Sequence, residues 1–237
     1  MREKSIMLFD LYAGGHHGQH IQQLISYWGR HGLSGRLDVV VPAHFVNVHE
    51  AVVPLLDQYG PCGINLVPIT EELHLEGRNT FGLIQADLEH GRLLKHYVER
   101  LRPDHCMMMY FDHAQLSLSV GLRFDFPVRI SGTYFRPSFH YASISSKRPD
   151  LKQRILDFRK RLLLHRAVRN PHFDTLFCLD PFVIPHLRMP QPSTRAVALP
   201  DGIDLSDPIA PAESIRQHLG VEPGRKLLLL FGSLAQR

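Results

Sequence analysis

The chain has 237 residues, 44% of them hydrophobic and 21% charged, which is enough apolar content for one generous core and excludes a predominantly disordered protein. Its net charge of +4 is concentrated, because Lys147 to Arg169 carries nine Lys/Arg against Asp150 and Asp157, a local +7 that leaves the remainder at −3. The longest apolar runs fall far short of the roughly 20 residues that cross a bilayer, and residues 1–4 lead into a strand without a cleavage-site pattern, so a cytoplasmic protein is expected.

A first strand is predicted over Ile6 to Leu11 and a first helix over Gln19 to Arg30, joined by Tyr12-Ala-Gly-Gly-His-His-Gly-Gln-His20. Gly14, Gly15 and Gly18 permit tight turning and close approach of a ligand to backbone amides at a helix N-terminus, where anions are favoured. The spacing is not the dinucleotide fingerprint, since Gly14 and Gly15 are adjacent and the third glycine comes too early. His16 and His20 have the separation of two metal ligands on one helix face, but no Glu follows His16 as in H-E-x-x-H, and no metal is expected. The loop imidazoles, His17 among them, either cap and cover the helix start or contact the hydroxyls of a sugar.

Strands over Leu37 to Val41 and Ile64 to Ile69 bracket a helix over Glu50 to Tyr59, and a long helix over Thr80 to Leu101 leads to a fourth strand, Cys106 to Phe111. Met107 to Met109 are assigned to the core. The strand exits on Asp112 and His113, a pair suited to hydrogen-bonding a hydroxyl acceptor or assisting its deprotonation; Asp112 as N-cap of the next helix, Ala114 to Leu122, is the alternative. After a fifth strand over Val128 to Thr133, the segment to Tyr141 carries Arg136, a planar fork for phosphate or carboxylate, and the imidazole of His140. Its aromatics Tyr134, Phe135, Phe139 and Tyr141 either stack on a sugar face or lipid or pack internally.

In the helix over Leu151 to Val168, Leu151, Ile155, Phe158 and Leu162 form one stripe, flanked by Lys152, Arg159 and Arg166 on one side and Arg154 and Arg161 on the other. Two readings stand: an ordinary domain helix with a buried stripe and solvated charges, or peripheral docking of Lys147–Arg169 on an anionic membrane. Nucleic acid is not expected, because the patch is confined to one helix and no known binding motif accompanies it. A strand over Thr175 to Leu179 turns at Asp180, read as a cap, and a last strand covers Ala196 to Leu199. Cys62, Cys106 and Cys178 are odd in number and widely spaced, which suits reduced core thiols.

Near-continuous apolar strands alternating with helices predict an α/β fold with a Rossmann-like parallel sheet and helices on both faces. Such sheets bind ligands beyond the carboxyl ends of their strands. The division expected is a Rossmann-like domain over 1–205, an interdomain linker over 206–225 punctuated by prolines, and over 226–237 a strand meeting a turn, the opening of a second, nucleotide-binding unit.

The GGHHGQH loop, the PD…DH segment, LPDGID and LLLLFGSLAQR together resemble the glycosyltransferase family 4 group of GT-B enzymes, over nearly the whole chain. The most specific part is LPDGID followed by LLLLFGSLAQR, which looks like that family's passage from acceptor to donor domain. The resemblance implies a retaining transfer of a sugar from a nucleotide sugar to a hydroxyl acceptor, glycan or lipid-linked, without a cofactor. It also implies that Gly14 and Gly15 approach the donor phosphates, that His113 contacts the transferred sugar or the acceptor, and that Gly202 marks the hinge. Where the family has an Arg this chain has Ser233, and the family's Lys-Gly pair and paired glutamates have no counterpart, so an acceptor-side half lacking its C-terminal domain, weak or inactive alone, is expected. His16, His17, Asp112, Arg136 and His140 are candidates from their chemistry and not from the family pattern. The alternatives are a non-catalytic module that binds a glycan or partner, and a metal-dependent hydrolase in which His16 or His20 converges with further ligands.

Overall fold

The computed structural model describes residues 3–14, 17–71, 80–135, 137, 139–140, 150–187, 189, 194–200, 220–222 and 225–226. Seven strands, β1 (Ser5–Phe9), β2 (Arg36–Pro42), β3 (Ile64–Ile69), β4 (His105–Met108), β5 (Arg129–Tyr134), β6 (Phe173–Cys178) and β7 (Arg195–Ala198), form one sheet. Their order is β3-β2-β1-β4-β5-β6-β7 and every pairing is parallel. This is the Rossmann-like α/β architecture that the alternating pattern predicts.

β1 lies inside the sheet, with Leu8 opposite Val39 on one side and Met107 on the other. Because successive strand side chains point to opposite faces, Met7 and Phe9 enter one core and Leu8 the other. The first core holds Leu93, Leu94 and Tyr97 of α4 (Thr80–Leu101); the second holds Ile21, Ile25 and Trp28 of α1 (His17–Arg30) and Val52 of α3 (Val52–Tyr59). Burying each such side chain stabilises the fold by about 1.5–3 kcal/mol. α4 stops where Arg102 takes a left-handed backbone, φ 45°, before Pro103, which cannot continue a helix.

The fourth strand ends at Met108, short of Phe111, because Tyr110 turns the chain and Phe111–His113 close a 3-10 turn around the buried Phe111 ring. The helix predicted over Ala114 to Leu122 contracts to α5 (Gln115–Ser119), since Gly121 at φ 95° ends it. A short helix not anticipated, α2 (Phe45–Val48), is anchored by fully buried Phe45. Cys106 and Cys178 are buried, whereas Cys62 is exposed, which corrects the assignment of all three thiols to the core. Burial pushes the Cys178 thiol up to about 12, with the Asp180 carboxylate adding to it.

α6 (Leu151–Ala167) corrects the reading of a buried stripe: Leu151, Ile155, Phe158 and Leu162 are exposed, and the residues turned inward are Asp157, Leu164 and Ala167. Among the described residues no helix is long and apolar enough to cross a membrane.

The chain divides into two compact units, Met1–Asp201 and Gly202–Arg237. The first contains the sheet. In the second, the described residues are 220–222 and 225–226, with Gly220 at φ 61° and Arg225 paired to Glu222 at 3.7 Å. Gly202 and most of the expected linker and terminal strand lie outside the described residues.

Candidate functional site

Strand order reverses between β1 and β4, and a parallel sheet opens a ligand crevice beyond the carboxyl ends of the strands at such a point. The segments leaving β1, β4 and β5 bring Asp10, Tyr12, Tyr110, Asp112, His113 and Phe135 to that edge, and α1 adds His17.

Asp10 follows β1 directly, its amide donating to Val40 O at 3.0 Å, which fixes the carboxyl inside the protein. Its Oδ1 accepts from Tyr12 N at 3.0 Å, and its Oδ2 lies 2.6 Å from His17 Nδ1. The Asp10 side chain is 0% exposed and that of His17 15%. Burial raises the Asp10 carboxyl above its ordinary 3.8, opposed by the hydrogen bond and charge of His17. Here the ion-pair geometry and the burial pull in opposite directions, and burial wins because the carboxyl has lost its water entirely.

A second imidazole is held in the same manner. His113 Nδ1 lies 3.1 Å from Asp87 Oδ1 of α4, with both side chains about a quarter exposed at 25% and 23%. The Tyr12 ring stands between the two imidazoles, 5.8 Å from His17 and 5.4 Å from His113. Tyr110 meets both edge-on at 5.3 and 4.9 Å, and Phe135 stacks on His17 at 5.5 Å with 12° between planes. Beneath His113, fully buried His90 has its imidazole pushed down to about 3 by burial and then by the neighbouring His113 charge.

Asp112 and His113 do not pair with each other. Asp112 Oδ2 accepts from Phe135 N at 2.9 Å, tying the β4 exit to the β5 exit, and caps neither the 3-10 turn nor α5. Gly18 does not admit a ligand: a Cβ there would collide with the His49 imidazole, which covers the start of α1. Gly14 is exposed and a Cβ on it would meet nothing within 4 Å. Tyr134 and Phe139 belong to the core. His140 joins a different group, buried with its Nε2 3.0 Å from Asp180 Oδ2 and its ring 5.7 Å from His186. Gly15, His16, Arg136 and Tyr141 lie outside the described residues. Among the described residues no three His, Cys, Asp or Glu side chains converge as metal ligands.

Asp10, Tyr12, Asp87, His90 and Tyr110 escaped the reading of the sequence. Asp10 alone carries a local signal, as a carboxylate one residue beyond an apolar strand and directly before the glycine loop. No family model matches the chain, and no curated protein matches it in sequence.

The arrangement can hold a hydroxylated ligand. An imidazole that donates from Nδ1 to a carboxylate presents Nε2 as an acceptor, so each of His17 and His113 can take a hydroxyl proton in a hydrogen bond while the tyrosine and phenylalanine rings cover apolar ligand faces.

Proposed function

We propose that the chain is the acceptor-side half of a GT-B glycosyltransferase, moving a sugar from a nucleotide sugar to a hydroxyl acceptor. The observation that carries the proposal is the pair of carboxylate-anchored imidazoles, His17 on Asp10 and His113 on Asp87, on either side of Tyr12 at the switch point of the sheet. A sugar offers ring C–H faces to aromatic rings and hydroxyls to imidazoles, and this edge supplies both.

In this reading His113 hydrogen-bonds the transferred sugar or the acceptor hydroxyl, and Asp87 holds its ring. His17, held by Asp10, orients or deprotonates the second partner. Asp112 acts as a positioning residue through the Phe135 backbone. Gly14 leaves room for donor phosphates, and the cations that neutralise the departing diphosphate come from a C-terminal half. Retention of the anomeric configuration follows from the family resemblance, and no cofactor takes part.

The test is release of nucleoside diphosphate from a panel of nucleotide sugars, with glycan and lipid-linked hydroxyl acceptors, by the protein at the full length that its gene encodes. Acceptor-dependent release that falls at least about 100-fold in His113→Ala supports the proposal, the loss of one strong transition-state hydrogen bond being about 2.7 kcal/mol. Saturable glycan binding without turnover of any donor would instead assign a binding module, and turnover undiminished in His113→Ala would remove the site from the reaction.

A further inference from the structure

α6 turns its larger apolar face to solvent and not to the sheet. At about 3.6 residues per turn, Leu151, Ile155, Phe158 and Leu162 share one stripe, and they are 71%, 59%, 68% and 39% exposed. The opposite side provides the buried residues, including Asp157, the one acid within the helix. Asp157 Oδ1 accepts from Gln153 Nε2 at 2.8 Å, and Asp150 is engaged as N-cap, accepting from Gln153 N at 2.7 Å. Flanking the stripe, Lys152, Arg154, Arg159, Arg161 and Arg166 are all exposed. The outward face of α6 is therefore apolar along its centre and cationic on both sides.

The apolar surface also has depth. A cavity of about 630 Å³ opens between α6 and the 3-10 turn Pro181–His186, lined in part by Phe158, Leu162, Phe139, Leu187 and Met189, with Arg161 among its polar residues. Phe158 and Leu162 belong to both stripe and cavity.

We propose that this face docks on an anionic lipid bilayer, with the stripe in the interface, the flanking cations on headgroup phosphates, and the cavity beside Phe158 admitting an acyl chain. Charge decides among the occupants. A nucleic acid would satisfy the cations and leave four large apolar side chains in water. A second copy of the chain would bring the two rows of cations face to face. An anionic bilayer answers both features at once. The proposal is independent of the glycosyltransferase reading.

The experiment is co-sedimentation of the whole chain with phosphatidylcholine vesicles, with and without phosphatidylglycerol. Binding is expected only with the anionic lipid and should fall with added salt. Each cation near such a surface is worth about fivefold in partitioning, so Lys152→Gln/Arg154→Gln/Arg159→Gln together should weaken it about 100-fold. Phe158→Ser should weaken it roughly tenfold. Since all four side chains are exposed, circular dichroism and Tm should not change. Equal binding to neutral vesicles, no binding to anionic ones, or unchanged binding by the triple variant overturns the proposal. So does tighter binding to an RNA homopolymer than to vesicles, or a dimer that the same substitutions dissociate.

Discussion

His90 makes a sharp test of the energetics beneath the site. It is 1% exposed, edge-on to Phe9 at 5.4 Å and 6.5 Å from the His113 ring, and among the described residues neither ring nitrogen has a hydrogen-bond partner. Its imidazole is pushed from 6.5 down to about 3, so the folded protein keeps it neutral while the unfolded chain takes up a proton below about 6.5. The stability contributed is complete above that value and is lost as pH falls toward about 3. With one proton linked, the slope is about 1.4 kcal/mol per pH unit, which integrates to about 2 kcal/mol between about pH 7 and about pH 5. His90→Leu, similar in volume, removes both the proton site and two unpaired buried nitrogens. Urea unfolding should find the variant at least as stable as the parent near pH 7 and its advantage larger by about 2 kcal/mol near pH 5, since every other titrating group is common to both. A stability difference that stays constant between the two conditions would refute the reasoning, because it would mean that His90 takes its proton in the folded state as readily as in the unfolded one.

Asp10→Asn keeps the acceptor for Tyr12 N but removes a carboxyl whose folded-state value is raised by burial, so the variant should gain stability relative to the parent as pH rises from about 4 toward neutrality, read by the same urea titrations. The opposite trend would mean that the attraction of His17 outweighs burial. Asn170, 5% exposed, donates to Leu118 O at 3.2 Å and Leu122 O at 2.7 Å and accepts from His172 N at 3.1 Å. Asn170→Ala should cost about 3 kcal/mol in thermal unfolding, and Asn170→Asp should recover little because a carboxylate cannot donate. A Cβ on Gly132 would lie 2.8 Å from Phe111 Cβ and 2.9 Å from its Cδ2, so Gly132→Ala should destabilise by about 1–3 kcal/mol, measured by urea unfolding, through displacement of the ring that closes the β4 exit.

The sheet was legible because parallel strands covered on both faces read as short apolar runs, and β3 and α4 begin and end where the pattern places them. Asp180 was legible as a cap because its bond to Phe182 N, at 2.9 Å, spans two residues. The site was legible only as far as its edge. His113 stands out after a strand, but its partner Asp87 lies 26 residues earlier on a helix face that nothing local distinguishes. Asp112 resembles an N-cap by position, yet accepts from an amide 23 residues later. For α6 the periodicity finds the stripe and says nothing of which side meets the sheet; Leu164 and Ala167, which occupy the inner face, are too few to form a periodic signal.

The two ends of the sheet differ in how they treat their polar groups. At the amino edge Asp104 Oδ2 accepts from Ser5 N at 2.8 Å and from its hydroxyl at 3.1 Å, while Asp38 accepts from Arg36 Nε at 2.8 Å and Asn65 at 3.1 Å. Those carboxylates are bound by several donors and tie strands together, as structural groups do. At the carboxyl edge burial raises the Asp10 carboxyl toward its neutral form, and among the described residues neither ring nitrogen of His90 has a hydrogen-bond partner. Buried groups of this kind destabilise a fold and persist where they serve a ligand or a reaction. Asp10 and His90 lie beside His17 and His113, where the strand order reverses, and this supports the proposal that substrate binds at this edge.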